Sequence, residues 1–278
     1  MFKDLLVATT GQGDDAAALS NACALAEAVD GHVSVLVQDR VSIASGGALS
    51  SFAAEALIAA YDRVRQRAEA DCERWRESLR RSGVSGEVRL VIEALAKPAQ
   101  TAAQQARYAD LTFVGLGERE TLPGMVHDEI ASLLSGSGRP LFVVPHGCAP
   151  VAFRRIAIAW RPSANAARAV HDALPFLAGA TAIDVLCIDP HRSEGEHGDD
   201  PGVDIARHLA RHGFSVTVHV ESGAGDEPGE VLLRRCRELG ADLLVMGGYS
   251  HSRLREWAFG GTTRYVLKNA TIAALMAH

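Results

Sequence analysis

The sequence predicts an α/β protein built from two tandem, doubly wound parallel-sheet domains. Three observations lead there. The 278 residues are long for one compact domain and sufficient for two, each able to bury its own core. The stretch FKDLLVATTGQGDDAAALSNACALAEAVDGHVSVLVQD has a counterpart about 150 residues later, FRRIAIAWRPSANAARAVHDALPFLAGATAIDVLCID, as duplication of a whole domain would leave. Short continuous apolar runs alternate with helical stretches, the pattern of parallel strands buried on both faces under right-handed crossovers.

The elements follow in order. In each copy a basic residue precedes a short apolar run, Leu5 to Ala8 and Ile156 to Ala159, which reads as the first strand. A polar turn and an Ala-rich helical stretch come next, then a second apolar run that ends in acid, Val33 to Asp39 and Ile183 to Asp189. The first copy continues into a long helical stretch, about Leu49 to Arg81, whose arginines alternate with acids and apolar residues. It reads as an amphipathic helix with a solvated face, or as a contact surface for a partner. In the second copy Pro190 to Gly202, PHRSEGEHGDDPG, reads as a flexible acidic loop. ARYADLTFVGLG (Ala106 to Gly117) then matches RELGADLLVMGG (Arg237 to Gly248): a helix end, an Ala-Asp pair, a buried strand and a glycine turn. RPLFVVPH (Arg139 to His146) closes the first copy and TIAALMAH (Thr271 to His278) the second. Each copy thus reads strand, helix, strand, helix, strand, helix, strand. The boundary falls near Pro150, giving domains 1–149 and 150–278.

Composition narrows the function. A formal net charge of -6 argues against a broad nucleic-acid face, which needs concentrated Lys and Arg. No apolar stretch approaches the roughly 20 residues of a membrane span. The amino-terminal MFKDLLVATTGQGDD has too short an apolar run for a secretory leader. The five cysteines are scattered and form no CxxC, so reduced thiols and a cytoplasmic location are expected.

The stretch that carries chemistry is MGGYSHSRLREWAFGGTTRYVLKN, Met246 to Asn269. Glycines at the end of a parallel strand let backbone approach a ligand. The amides from Gly260 to Thr263 open a helix, where free N–H groups and the helix dipole favour an anion, and Thr262 and Thr263 carry hydroxyl donors. Two readings stand side by side. One is a phosphate cradle at the carboxyl edge of the sheet; the other is a glycine-ended strand followed by a Thr-capped helix.

That loop, together with the opening strand-turn-helix of each copy, closely resembles the universal stress protein family in its tandem form, over almost the whole chain. The resemblance implies five-stranded parallel sheets of the adenine nucleotide alpha hydrolase-like type. It also implies ATP or AMP, with Mg, held by a loop of pattern G-x2-G-x9-G-[ST] after the fourth strand. Gly247 and Gly260 match that pattern, Ser250 stands at the second glycine and Gly261 at the Ser/Thr, with Thr262 and Thr263 just beyond. The aspartate usual after the first strand is replaced by Arg161 in the second copy and Thr10 in the first. A guanidinium there loses an acceptor but can form forked bonds to a phosphate. The implied nucleotide site comprises Ala159, Trp160, Arg161, Cys187, Met246, Gly247, Ser250, Gly260, Gly261, Thr262 and Thr263. Trp160 can cover an adenine or pack at the strand end, and Cys187 lies where the family's second strand touches adenine. The first copy lacks the glycine spacing. It offers Met125, Val126, His127, Asp128 and Glu129 instead, so its site reads as vestigial, with two acids that repel phosphate.

No nucleophile motif and no P-loop lysine are present, so no catalytic residue is assigned. His191 and His197 lie in the acidic loop without regular ligand spacing, and His208 and His212, four apart on a helix, read as solvent-exposed; no metal site is assigned. Three functions follow: a stress-response regulator that binds ATP or AMP in its second domain, a nucleotide-free protein-interaction module, or a slow ATP hydrolase. The two domains are expected to pair through Arg139 to His146 and Thr271 to His278, covering each other's edge strands. A second copy of the chain and an unidentified protein are the other candidate partners.

Overall fold

The apolar runs become the strands of one continuous sheet. The computed structural model describes residues 2–11, 13–41, 51–93, 98–118, 124–190, 200–223, 225–248 and 261–278. The first copy runs β1 (Asp4–Ala8), α1 (Asp15–Val29), β2 (His32–Arg40), α2 (Ser51–Ser82), β3 (Ser85–Glu93), α3 (Pro98–Ala106), β4 (Leu111–Gly115), α4 (Gly124–Gly136), β5 (Leu141–Val144). The second runs β6 (Arg155–Ala159), α5 (Ala164–Leu177), β7 (Ala182–Ile188), α6 (Val203–Arg211), β8 (Thr217–Glu221), α7 (Pro228–Leu239), β9 (Leu243–Gly247), α8 (Gly261–Asn269), β10 (Ala273–Ala277).

Among the described residues each copy therefore has nine elements where the residue pattern reads seven. The pattern merges α2, β3 and α3, and likewise their counterparts, into one helical segment. The overlooked strands β3 and β8 lie at the two outer edges of the sheet, and polar or charged residues interrupt their apolar ones (SGEVRLVIE and TVHVE). Such strands have no continuous apolar run to betray them.

The strand order is β3-β2-β1-β4-β5-β10-β9-β6-β7-β8. Pairing is parallel within each copy, and β5 meets β10 antiparallel with Phe142 opposite Leu275. The expected pairing of the two closing strands is thus what joins the domains, and neither β5 nor β10 remains an open edge. Apolar side chains pack on both faces of the sheet, and both core layers draw on both copies. At the seam Phe142 touches Phe113, Phe153 and Phe176 with ring centres 5.0, 5.6 and 5.9 Å away.

The repeated Ala-Asp pair has a backbone task. Asp110 accepts from the amides of Lys3 and Asp4, and Asp242 from those of Arg154 and Arg155, at 2.8 and 3.1 Å in each copy. These carboxylates satisfy donors where β1 and β6 begin. Asp242→Ala is expected to cost about 1–2 kcal/mol in urea unfolding, because charge-assisted bonds to main-chain donors are lost.

The long helix α2 bears out the amphipathic reading. Ala68, Cys72 and Leu79 are buried, while Arg65, Arg76 and Arg80 pair with Glu69, Glu73 and Glu77 on its exposed side. The cysteines are free thiols, four of them buried. No helix among the described residues is long and apolar enough to cross a membrane. The acidic-loop residues 191–199 lie outside the described residues.

Candidate functional site

The carboxyl ends of β6, β7 and β9 lie side by side in the second domain, where open α/β sheets take ligands. Ala159 pairs with Leu186 and Met246 in register, and the Trp160 amide donates to the Leu186 carbonyl at 2.9 Å. Trp160 is half-buried against the core, which favours its packing role. Arg161 is exposed and makes no ion pair among the described residues. Cys187 is fully buried, and burial pushes its thiol up to about 11, so it serves as a small apolar wall and not as a nucleophile.

Gly247 has a structural reason to be glycine. A Cβ there would sit 2.6 Å from the Ala166 nitrogen and 2.8 Å from the Asn165 carbonyl carbon, so the end of β9 is pressed against the first turn of α5. Gly115 repeats this in the first domain, with the Asp14 carbonyl oxygen 2.2 Å from its notional Cβ. Ser163 caps α5 by accepting from the Ala166 amide at 3.2 Å, and Asn165 donates to the Gly248 carbonyl and bonds the His278 ring. These contacts hold the strand end, the helix start and the last residue of the chain as one unit. Neither Asn165 nor His278 belongs to a spaced motif, so the residue pattern alone does not mark them.

Helix α8 begins at exposed Gly261, whose notional Cβ meets nothing within 4 Å. Thr262 is half-buried and Thr263 is buried at 4% exposure, so Thr262 is the better placed of the two hydroxyls. Met246, Val266 and Leu267 share one core layer, which ties α8 to β9. Ser250 and Gly260 lie outside the described residues.

The first domain differs in kind. Asp15, buried at the start of α1, accepts from the amides of Thr10 and Gly11 at 3.1 and 2.9 Å. The chain thus supplies its own anion to amides at the carboxyl end of β1. Glu129 is 5% exposed on the inner face of α4 and accepts from the Gln38 amide at 2.9 Å. Burial, with Asp15 adding to it, pushes its carboxyl up to about 7; burial also raises that of Asp15 against the backbone bonds that lower it. Two acids are therefore present as expected, but they act differently: Asp128 is exposed, and Glu129 is an interior acid with a high proton affinity. Glu129 falls on the apolar stripe of Val126, Ile130, Leu133 and Leu134, the one sequence signal that could have marked it.

Strand registers and matching contacts place the two copies on one frame. Gly115 against Asp14 corresponds to Gly247 against Asn165, so Asp15 falls on Ala166. The β1–β2 and β6–β7 registers put Gln38 on Ile188. The paired bonds Ser137 N to Leu133 O and Ala270 N to Val266 O put Glu129 on Thr262 and Asp128 on Gly261. Where the first domain has two buried carboxyls beside a half-buried carboxamide, the second has a methyl, an alkyl chain and a hydroxyl.

Residues 152–278 match the model of the universal stress protein family. They form a universal stress protein domain. The first copy repeats the element order of this domain, so the same fold occurs twice in the chain. Along its whole length the chain is similar in structure to a universal stress protein from Archaeoglobus fulgidus DSM 4304, with TM-score 0.70 and 16% identity, covering 98% of this chain and 97% of that one. It is also similar to a functionally unknown protein from Pseudomonas aeruginosa PAO1, with TM-score 0.57 and 16% identity over 99% and 92%. At these identities the likeness concerns the fold. Comparison with curated proteins gave no match. Apart from these strand ends, a cavity of about 370 Å3 lies at the domain seam, between Leu116, Pro145 and His146 of the first domain and Leu267 and Lys268 of the second.

Proposed function

We propose that the second domain binds an adenine nucleotide, ATP or AMP, at the carboxyl ends of β6, β7 and β9, and that the protein is a stress-response regulator in which the bound nucleotide biases conformation or partner choice. The observation that supports this is the asymmetry between the copies. Ala166, Ile188 and Thr262 replace Asp15, Gln38 and Glu129, so no carboxylate competes at the positions where the first domain has two. Free amides at the start of α8 favour phosphate, and Thr262 adds a donor. Ala159, Trp160, Cys187 and Met246 form the side toward the base, and Arg161 offers a forked cation to the phosphates. Magnesium in this reading arrives with the nucleotide. Among the described residues no group of three or more His, Cys, Asp or Glu is placed to hold an ion.

The test is calorimetric titration of ATP and AMP into protein unfolded and refolded to remove carried-over ligand. Gly261→Asp puts a carboxylate where the first domain has Asp128, into space that is open. The variant is expected to keep wild-type stability and to lose at least about tenfold in affinity, through repulsion of phosphate. Gly261→Ala, equally free of clashes, is expected to bind as wild type. Absence of binding to wild type at millimolar nucleotide would sink the proposal. It would favour the second reading, a nucleotide-free interaction module, to which Arg161 in place of an aspartate already points. Magnesium-dependent phosphate release that Gly261→Asp abolishes would add slow hydrolysis to the function.

A further inference from the structure

The geometry points to a surface site for a divalent transition-metal ion on α6, chelated by the imidazoles of His208 and His212. The two rings are four residues apart, lie on one face of the helix end, and have centres 4.8 Å apart with planes inclined by 65°. Both side chains belong to exposed residues. A metal held by two imidazole nitrogens at about 2.0–2.1 Å lies about 3.2 Å from each ring centre; at coordination angles of about 90–110° the centres are then about 4.5–5.2 Å apart. The observed separation falls inside that window, so an ion can be taken up by turning the rings, without moving the backbone.

The backbone beneath the pair is held from several directions. Ile205 and Leu209, on the adjoining face of the helix, are buried and anchor α6 to the core. The helix closes with His212 N donating to Leu209 O at 3.0 Å, Gly213 N to Ala210 O at 2.9 Å and Phe214 N to Leu209 O at 3.1 Å. Gly213 takes the left-handed conformation, φ 87°, that such a closure uses. His212 therefore sits on a fixed stub, and His208 one turn before it. The carboxyl end of a helix also attracts a cation. Of the charged neighbours on the helix, Asp204 is paired with Arg207 at 3.3 Å, and Arg211 follows in the last turn. No third His, Cys, Asp or Glu joins the pair among the described residues. The site is thus a two-imidazole chelate whose remaining positions are filled by water or by a donor from another molecule. Neutral imidazole selects borderline ions, with affinity rising toward nickel and copper. The occupant is an ion of this class and not magnesium or calcium.

The experiment is titration of nickel(II) chloride, in a buffer without chelating groups, into wild type and the variants His208→Asn, His212→Asn and the double. His171→Asn, at another exposed histidine, is the control. Chelation predicts that either single variant loses the strongest site, with affinity falling at least about tenfold, and that the double variant loses little more, because one imidazole without the other forfeits the intramolecular advantage. The control should titrate as wild type. Single variants that titrate like wild type would overturn the proposal. So would losses that simply add in the double variant, since these describe two independent single-ligand contacts. Neither outcome depends on nucleotide binding.

Discussion

Glu129→Gln is expected to stabilise the protein at neutral pH by about 3 kcal/mol and to leave it unchanged in acid. In the native state burial holds the Glu129 carboxyl protonated up to about 7, against an ordinary value of 4.5. Below the ordinary value both folded and unfolded chains carry the proton and nothing is lost. As the pH rises, the unfolded chain releases the proton first, so folding must retain or recover it, at about 1.4 kcal/mol per pH unit. The penalty stops growing once the folded state also ionises, near neutrality, and stays constant above. Glutamine does not titrate and can accept the same bond from Gln38. Urea unfolding between pH 4 and pH 8 should show the two proteins converging at the acid end and separating by about 3 kcal/mol at the other. A pH-independent difference would mean that Glu129 is not the titrating group.

The other large effect is expected at Gly247. Gly247→Ala should cost about 3 kcal/mol or more, because its Cβ would meet main-chain atoms of Ala166 and Asn165 at 2.6 and 2.8 Å. Main chain cannot rotate away as a flexible side chain can, so either β9 or the start of α5 must shift. Gly261→Ala is the informative contrast. It lies on the same candidate site but meets nothing within 4 Å, and should change stability by no more than about 0.5 kcal/mol. Equal losses at the two positions in thermal unfolding would contradict the reading of Gly247 as a packing glycine. By this reading the first glycine of the loop serves the scaffold in both domains, as its counterpart Gly115 indicates, and any ligand contact by its backbone is a consequence of that close approach.

Several of these features were legible in the residues. Duplication, the parallel sheet, the meeting of Arg139 to His146 with Thr271 to His278, and the long helix all rest on local periodicity or on self-similarity, which sequence carries directly. The Ala-Asp pair was visible as a repeat, but its task was not, since Asp110 and Asp242 reach amides about a hundred residues away. The edge strands β3 and β8 escaped because polar or charged residues break up their apolar ones. In the candidate site Ala159, Cys187, Met246 and Gly247 lie at adjoining strand ends.

The sequence by itself determined the α/β architecture with its repeated halves, because strand burial and duplication leave patterns along the chain. Tertiary structure alone decided how the two sites differ. Glu129, Gln38 and Asp15 are far apart in sequence and ordinary in type, and only folding brings them into one interior where a carboxyl's charge becomes costly. The same folding sets Thr262, Ile188 and Ala166 at the matching places and, among the described residues, leaves the amides of α8 without a buried carboxyl beside them.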